Sequence, residues 1–480
     1  MSRFQHRIGE CIVDFIISLL MKDTDALVKQ KYLANPLRVP LPLERYGRVR
    51  KSTYRSRFFP KSEQQTQTDF GIDPVTGFLP PEPLPRLSGQ YRIWENALAE
   101  APELLRLGDD VSKEALALKK EGESWRVHVK SIAVLDIQSL ANQRRLLQRA
   151  HVILSWLVQY YVHSLPPVFP PEPKKVPDSI AIPLVNVSRI LGISPVITFA
   201  DTVTWNWELI HSDKPVTIDN MTILHTFSGR DDERHFYQVQ AAIELHGAQL
   251  LCIVESYNRT PIVDDSASMN RVAGDLERIA EIIGEFSDLI QSTRDGCDPY
   301  TFYWHIRPWF NGCDSQNGSV PGWIYEGVNP AAPELQYLCG PSGGQSTIMH
   351  TLDVFLGVNH DTPEKCSMSS ERANLGFMER MRMYMLGKHR EYLQHLEQSP
   401  SMRDFACRMS TLRGPYNNAV AALKKLRSLH MRIAMSYVFH PLVSKLKQPE
   451  IDRVLGTGGN KVVALLKAGV DATSQSVLKR

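Results

Sequence analysis

The stretch PYNNAVAALKKLRSLHMRIAMSYVFH, residues 415–440, decides how this chain is read. Leu423, Leu426, His430, Ile433 and Tyr437 follow one another at intervals of three and four, the spacing that gathers side chains on one face of an α-helix. Lys424, Lys425, Arg427 and Arg432 fall off that stripe. The helix is expected to begin near Pro415 and to stop before Pro441, because proline suits a first turn and cannot continue a later one. A histidine therefore stands in a row of apolar residues. An imidazole aimed at a core must find a partner, since an unpaired buried polar group costs about 2 kcal/mol or more.

Working outward, the same periodicity recurs. Val272, Leu276, Ile279, Ile283, Phe286 and Ile290 form a second stripe, and a further helix is expected over Glu371–Gln398. In Leu146–Leu165 the residues Leu146, Ala150, Ile153, Leu157, Tyr160 and Tyr161 predict a helix with one buried face. Six prolines in 165–177 end it. From Asp69 the run FGIDPVTGFLPPEPLPRL reads as an extended strap. The polar run GRDDERH, from Gly229, suggests a domain boundary, and no train of alternating strands and helices is visible. The expected fold is mostly α, with a small mixed domain over 69–229 and a large all-helical domain over 230–480.

Composition narrows the function classes. With 55 basic against 52 acidic residues the net charge is +3, too balanced for nucleic acid to be the main partner. The longest apolar run, Ile12–Met21, is broken by Asp14 and is shorter than a membrane span. Seven cysteines without a CxxC pair argue against a disulfide framework or structural zinc, and for a reducing compartment, by default the cytosol. Residues 1–68 read as a loosely attached tail, with eight Lys or Arg against Glu44 alone in 38–61. A mitochondrial leader is the alternative, opposed by Glu10, Asp14, Asp23 and Asp25.

Four segments carry chemistry. For His430 a carbonyl or carboxylate partner would make an ordinary core histidine, and a haem iron would make it a proximal ligand on a helix. The segment GPSGGQST, 340–347, matches G-x-S-x-G at Gly340, Ser342 and Gly344. A serine hydrolase would need LQYLC before it as a strand, with Asp353 or Asp361 and a later histidine completing a triad. It is not a P-loop, because Gln345 stands where the lysine is required. In DPYTFYWHIRPWFNG, 298–312, Arg307 sits among six aromatics and suits a small carboxylate. The loop GTGG, 456–459, is able to close over a ligand through its backbone.

Taken in order, FADTVTWNW (199–207), HFYQVQAAIE (235–244), DPYTFYWHIRPWFNG, WIYEGV (323–328), GPSGGQSTIMHTLDVFLG (340–357), RMYMLGKHREYLQHLEQSPSMRDF (382–405), LRSLH (426–430) and GTGG resemble the indoleamine 2,3-dioxygenase family. These are haem enzymes that open the indole ring of tryptophan, and the resemblance spans roughly 69–475. It implies that His430 is the proximal ligand of haem b. It implies that Arg307 holds the substrate carboxylate, that Phe302 packs on the indole, and that Phe236 lines the distal pocket. Phe199, Thr202 and Val203 fall on the deep indole pocket, and Ser342 and Gly343 on a loop beside the haem edge. Thr457 and Gly458 belong to the loop over the substrate ammonium and a haem propionate. Gln240 stands where mammalian relatives place a serine, Asn460 where a threonine is usual, and Thr202 where a cysteine is.

The implied reaction joins L-tryptophan and O2 into N-formylkynurenine, the first step of the kynurenine route towards NAD, with an electron donor keeping the iron ferrous. The small domain would cap the distal side, and the protein would be a cytosolic monomer. Two alternatives stand beside this reading: a haem-binding sensor with little turnover, suggested by Gln240, and the hydrolase using Ser342.

Overall fold

The computed structural model describes residues 66–260, 265–313, 322–336, 338–360, 376–439, 456–457 and 462–479. The N-terminal tail (1–65), Asp361, Gly458 and Asn460 lie outside them. All the described residues fall in one compact unit, and its fold is mostly α. The longer helices are α1 (Arg92–Leu104), α2 (Lys119–Ser131), α3 (Arg144–His163), α4 (Asp178–Leu191), α5 (Asp231–His246) and α6 (Ala248–Arg259). They continue as α7 (Ser266–Gly296), α8 (Thr347–Phe355), α9 (Gly387–Glu397), α10 (Ser410–Val438) and α11 (Val462–Gln475). Four three-residue strands complete the set. β1 (Lys174–Val176) pairs in parallel with β4 (Trp323–Tyr325), and β2 (Trp207–Leu209) pairs antiparallel with β3 (Met221–Ile223). Among the described residues no helix is long and apolar enough to cross a membrane. No disulfide joins the described cysteines.

Two apolar clusters form the interior. One surrounds α3 and draws on α1, α4 and the 297–310 segment; the other lies between α6, α7, α8, α9 and α10. The α7 stripe is buried as its periodicity requires, with Leu276, Ile279, Ile283 and Phe286 fully enclosed. Helices α7 and α10 run along each other, and the Tyr437 hydroxyl donates to the Cys297 carbonyl at 2.5 Å.

Three expectations change. Helix α3 does not bury one face but nearly its whole circumference, from Leu147 to Val162. This is tolerated because its polar side chains are paired inside. Arg149 donates to both oxygens of Glu95 at 2.8 and 2.7 Å, and His151 bonds Asp201 at 2.7 Å. Gln159 donates to the Trp309 and Asn311 carbonyls. Second, α10 begins at Ser410, five residues before Pro415; the proline removes one backbone donor, while the turn ahead of it is held by fully buried Leu412. Third, of the helix expected over Glu371–Gln398, residues 371–375 lie outside the described ones, and the rest is interrupted at Met383–Leu386. There Ser194 donates twice to the Met383 carbonyl, and Arg390 donates to the carbonyls of Gly192 and Met385, so docking on the end of α4 outweighs local propensity. The run GRDDERH forms the start of α5. Glu233 there is buried, accepting from the Phe227 and Ser228 backbone and from the Tyr237 hydroxyl.

Glu95→Leu would leave the Arg149 guanidinium buried without its carboxylate. A loss of roughly 3–5 kcal/mol is expected in urea unfolding; a loss below about 1 kcal/mol would show that the pair is dispensable. Burial also pushes three histidines down, His163 and His389 to about 3 and His350 to about 4. The unfolded chain takes up protons near 6.5 that the native state refuses, so stability is full above that pH. It then falls by roughly 1.4 kcal/mol per pH unit per histidine as the pH drops towards 4. Urea midpoints that stayed level between pH 7 and 5 would contradict this.

Candidate active site

A cavity of about 410 Å³ opens between α5, α7, α10 and α11, closed by the segments that carry Phe199, Phe302, Ser342 and Thr457. Its walls include Phe199, Thr202, Phe236, Gln240, Phe302, Arg307, Ser342, Gly343, His430 and Thr457, residues spread over more than half of the chain. Val203 is fully buried behind the wall rather than on it. A second hollow of similar volume, between α1 and α2, gathers none of these residues.

His430 projects from the α10 stripe into this cavity and is half-buried, its accessible part facing the open space. Burial, with the nearby Arg427 charge, pushes its pKa below the usual value, so the ring is neutral. Among the described residues no hydrogen bond reaches its nitrogens. Among those residues it therefore has neither the carbonyl nor the carboxylate of an ordinary core histidine.

Arg427, one turn earlier, corrects the sequence expectation: it also lines the cavity. Its guanidinium donates to Asp353 and to Thr473 of α11. Asp353 also binds His360 at 2.8 Å. Burial acts to raise the Asp353 carboxyl, but Arg427 and His360 outweigh it and hold it below the usual range.

Facing α10, the 299–310 segment changes its winding. After Pro299–Thr301 the chain widens into a π-helical turn, Phe302–Ile306, and then tightens into the 3₁₀ turn Arg307–Phe310. The Arg307 N–H bonds the Phe302 carbonyl five residues back. In α-helical winding residues five apart diverge; the wide turn lets both Phe302 and Arg307 reach one cavity. The Phe302 ring lies 4.8 Å from Phe236 and 5.6 Å from Tyr437. The Arg307 guanidinium lies 5.3 Å from the Tyr303 ring centre, and burial lowers its pKa. It remains a cation.

A second π-helical turn, Ala200–Thr204, carries Thr202. Buried Asp201 holds it by accepting from the Thr198 N–H and hydroxyl and from His151. The Thr202 hydroxyl donates to the Thr198 carbonyl at 3.2 Å. On α5 the Gln240 amide folds back to the Phe236 carbonyl at 3.2 Å.

The glycine-rich segment is not a nucleophile elbow. Leu335–Gln336 and Leu338–Cys339 form no strand, the Ser342 hydroxyl accepts from the Gly344 N–H, and among the described residues no hydrogen bond joins that hydroxyl to a histidine. Asp361, one of the two acids considered for a triad, lies outside the described residues. The glycines instead permit close backbone crossing. A Cβ on Gly340 would lie 1.7 Å from the Phe310 carbonyl oxygen, and one on Gly312 would lie 2.4 Å from that of Leu338. The Gly340 N–H donates to the Thr457 carbonyl at 3.1 Å, and the Thr457 hydroxyl to the Pro341 carbonyl at 2.7 Å. Two residues that the sequence reading passed over tie this segment to other walls. Gln345 bonds the Phe199 N–H, and Ser346 donates to Glu244 of α5. Glu244 lies on the cavity wall, and burial pushes it up to about 7.

The family model described as indoleamine 2,3-dioxygenase matches residues 66–476. Indoleamine 2,3-dioxygenase 1 of Rattus norvegicus is 29% identical over 420 residues, covering 85% of this chain and 95% of the rat protein. Indoleamine 2,3-dioxygenase of Saccharomyces cerevisiae is 29% identical over 446 residues, covering 84% and 91%. A 6-hydroxytryptophan 2,3-dioxygenase of Fusarium equiseti is 26% identical over 418 residues, covering 83% and 94%. With matched segments that supply the cavity walls as well as the helical frame, the chain belongs to the indoleamine 2,3-dioxygenase family and is an oxidoreductase of the dioxygenase type.

Proposed function

We propose that this protein is a haem-dependent dioxygenase that inserts both atoms of O2 across the indole C2–C3 bond of L-tryptophan, giving N-formylkynurenine. The observation that carries the reading is His430: a neutral imidazole without a protein partner among the described residues, facing a cavity whose lining includes Phe199, Phe236, Phe302 and Arg307. Among the described residues no three His, Cys, Asp or Glu side chains converge as metal ligands. A metal held at His430 would therefore need its other ligands from a bound cofactor, and the residues present fit haem b. Haem supplies the binding and activation of O2 when bound.

The chain's own groups do the rest. His430 would hold the iron, while Ser342, Gly343 and Thr457 would border the cofactor and the substrate's amino-acid end. Arg307 receives the tryptophan carboxylate through charge-assisted bonds, which fixes one end of the substrate. Phe236 and Phe302 pack on the indole and keep water from the reacting carbons. Phe199 and Thr202, backed by Val203, close the deep end, with Gln240 beside them. None of these groups needs to move a proton; orientation in a dry pocket is their contribution to rate. Residues 69–229 supply the cap of the pocket. The substrate name of the Fusarium relative makes ring-hydroxylated tryptophan the second compound to assay, with the Thr202 hydroxyl as the polar group at the deep end.

His430→Ala is expected to abolish the haem Soret band. Arg307→Ala is expected to keep it and lower kcat/KM for tryptophan by about 100-fold, the cost of a lost charge-assisted pair. Normal haem binding by the His430 variant would overturn the assignment. Haem-loaded wild-type protein that forms no N-formylkynurenine from tryptophan, O2 and a reductant would make the chain a haem-binding protein instead.

A further inference from the structure

Gln345 is buried and does not touch the cavity, yet both ends of its amide are used behind the cavity wall. Its Oε1 accepts the Phe199 N–H at 2.8 Å, from a residue 146 positions away in sequence. Its Nε2 donates to the Gly340 carbonyl at 2.9 Å. Phe199 is the residue before the π-helical turn Ala200–Thr204, where a backbone N–H has no partner within the turn itself. Gln345 is therefore the cap of that turn, supplied from the adjoining glycine-rich segment. The next residue, Ser346, accepts from the Met349 N–H at the start of α8, so its hydroxyl proton points to Glu244 on α5. Two consecutive side chains thus join the glycine-rich segment to the Phe199 turn and to the Phe236–Gln240 helix.

We propose that Gln345 is a positioning residue for the reaction: by holding the Phe199 backbone against the Gly340 loop it sets the depth of the end of the pocket that receives the indole ring. This rests on the dioxygenase reading above. Only an amide fits without adjustment. Leucine of similar size offers neither bond and leaves a buried N–H unsatisfied. Glutamate keeps the acceptor for Phe199 but sets a second acceptor against the Gly340 carbonyl, unless its carboxyl is protonated and donates as the amide does.

The test uses haem-loaded wild type, Gln345→Leu and Gln345→Glu. It reads haem content, tryptophan affinity from the perturbation of the Soret band, and KM and kcat for tryptophan and for its 5-, 6- and 7-methyl derivatives. Gln345→Leu is expected to retain haem while its tryptophan Kd and KM rise by about ten-fold, the loss for one unsatisfied buried donor. Its preference among the methyl derivatives should flatten. The Kd of Gln345→Glu should return towards the wild-type value as pH falls and its carboxyl protonates. A Leu variant with unchanged Kd and unchanged ring preference would overturn the proposal. So would one that loses haem and every activity in parallel while the Glu variant shows a Kd independent of pH. Wild-type protein that binds tryptophan without turnover would fault the dioxygenase reading alone, because the Kd comparison still reports on Gln345.

Discussion

Where residues 338–340 cross the 310–312 stretch, two backbones approach so closely that no side chain fits between them, and the rest of the cavity depends on that crossing. Gly340 and Gly312 make it sterically feasible. Once the crossing is made, the same segment reaches Thr457 through its backbone, Phe199 through Gln345 and Glu244 through Ser346. The ties through Gln345 and Ser346 are hydrogen bonds buried from water, and each of the three fixes a wall that comes from a distant part of the chain. A hydrogen bond of this kind contributes only about 1 kcal/mol net, but a buried group left without its partner costs more, which makes the arrangement specific rather than merely stable.

Against this frame α10 presents one imidazole. The apolar neighbours Leu426 and Ile433 keep water from its flanks, and Arg427 one turn earlier is neutralised by Asp353. A cation so near the histidine would otherwise be a costly buried charge. The Asp353 carboxylate, also bonded to His360, keeps Arg427 in place, and Arg427 in turn reaches Thr473 on α11. The proposed ligand helix and the last helix are therefore joined through the same guanidinium. In the proposed reading this places a fixed cation at the edge of the cofactor pocket.

Much of the helical frame was legible because periodicity is a local property. The α7 and α10 stripes, and the helix over Leu146–Leu165, appear in the sequence at the spacing the structure uses. What was not legible depends on partners remote in sequence. The full burial of α3 requires Glu95 and Asp201, and the break at Met383–Leu386 requires the end of α4. Arg427 falls off the apolar stripe in the sequence, although it stands about one helical turn before His430; its partner Asp353, 74 residues earlier, carries no local mark. The π-helical turns were hidden too, since widened winding leaves no residue pattern like that of a cap or a hairpin. Gln345 was read only as the residue that spoils a P-loop, and Glu244 not at all. In each case the chemistry lies in a pairing that only the folded chain makes.

The central claim is that the imidazole of His430 holds the iron of a haem. Resonance Raman spectra of the reduced, haem-loaded protein, grown with and without ¹⁵N-labelled histidine, test it most directly. The account predicts an iron–histidine stretching band that shifts with the label, vanishes in His430→Gly and returns when imidazole is added. A label-sensitive band that persists unchanged in His430→Gly would contradict it.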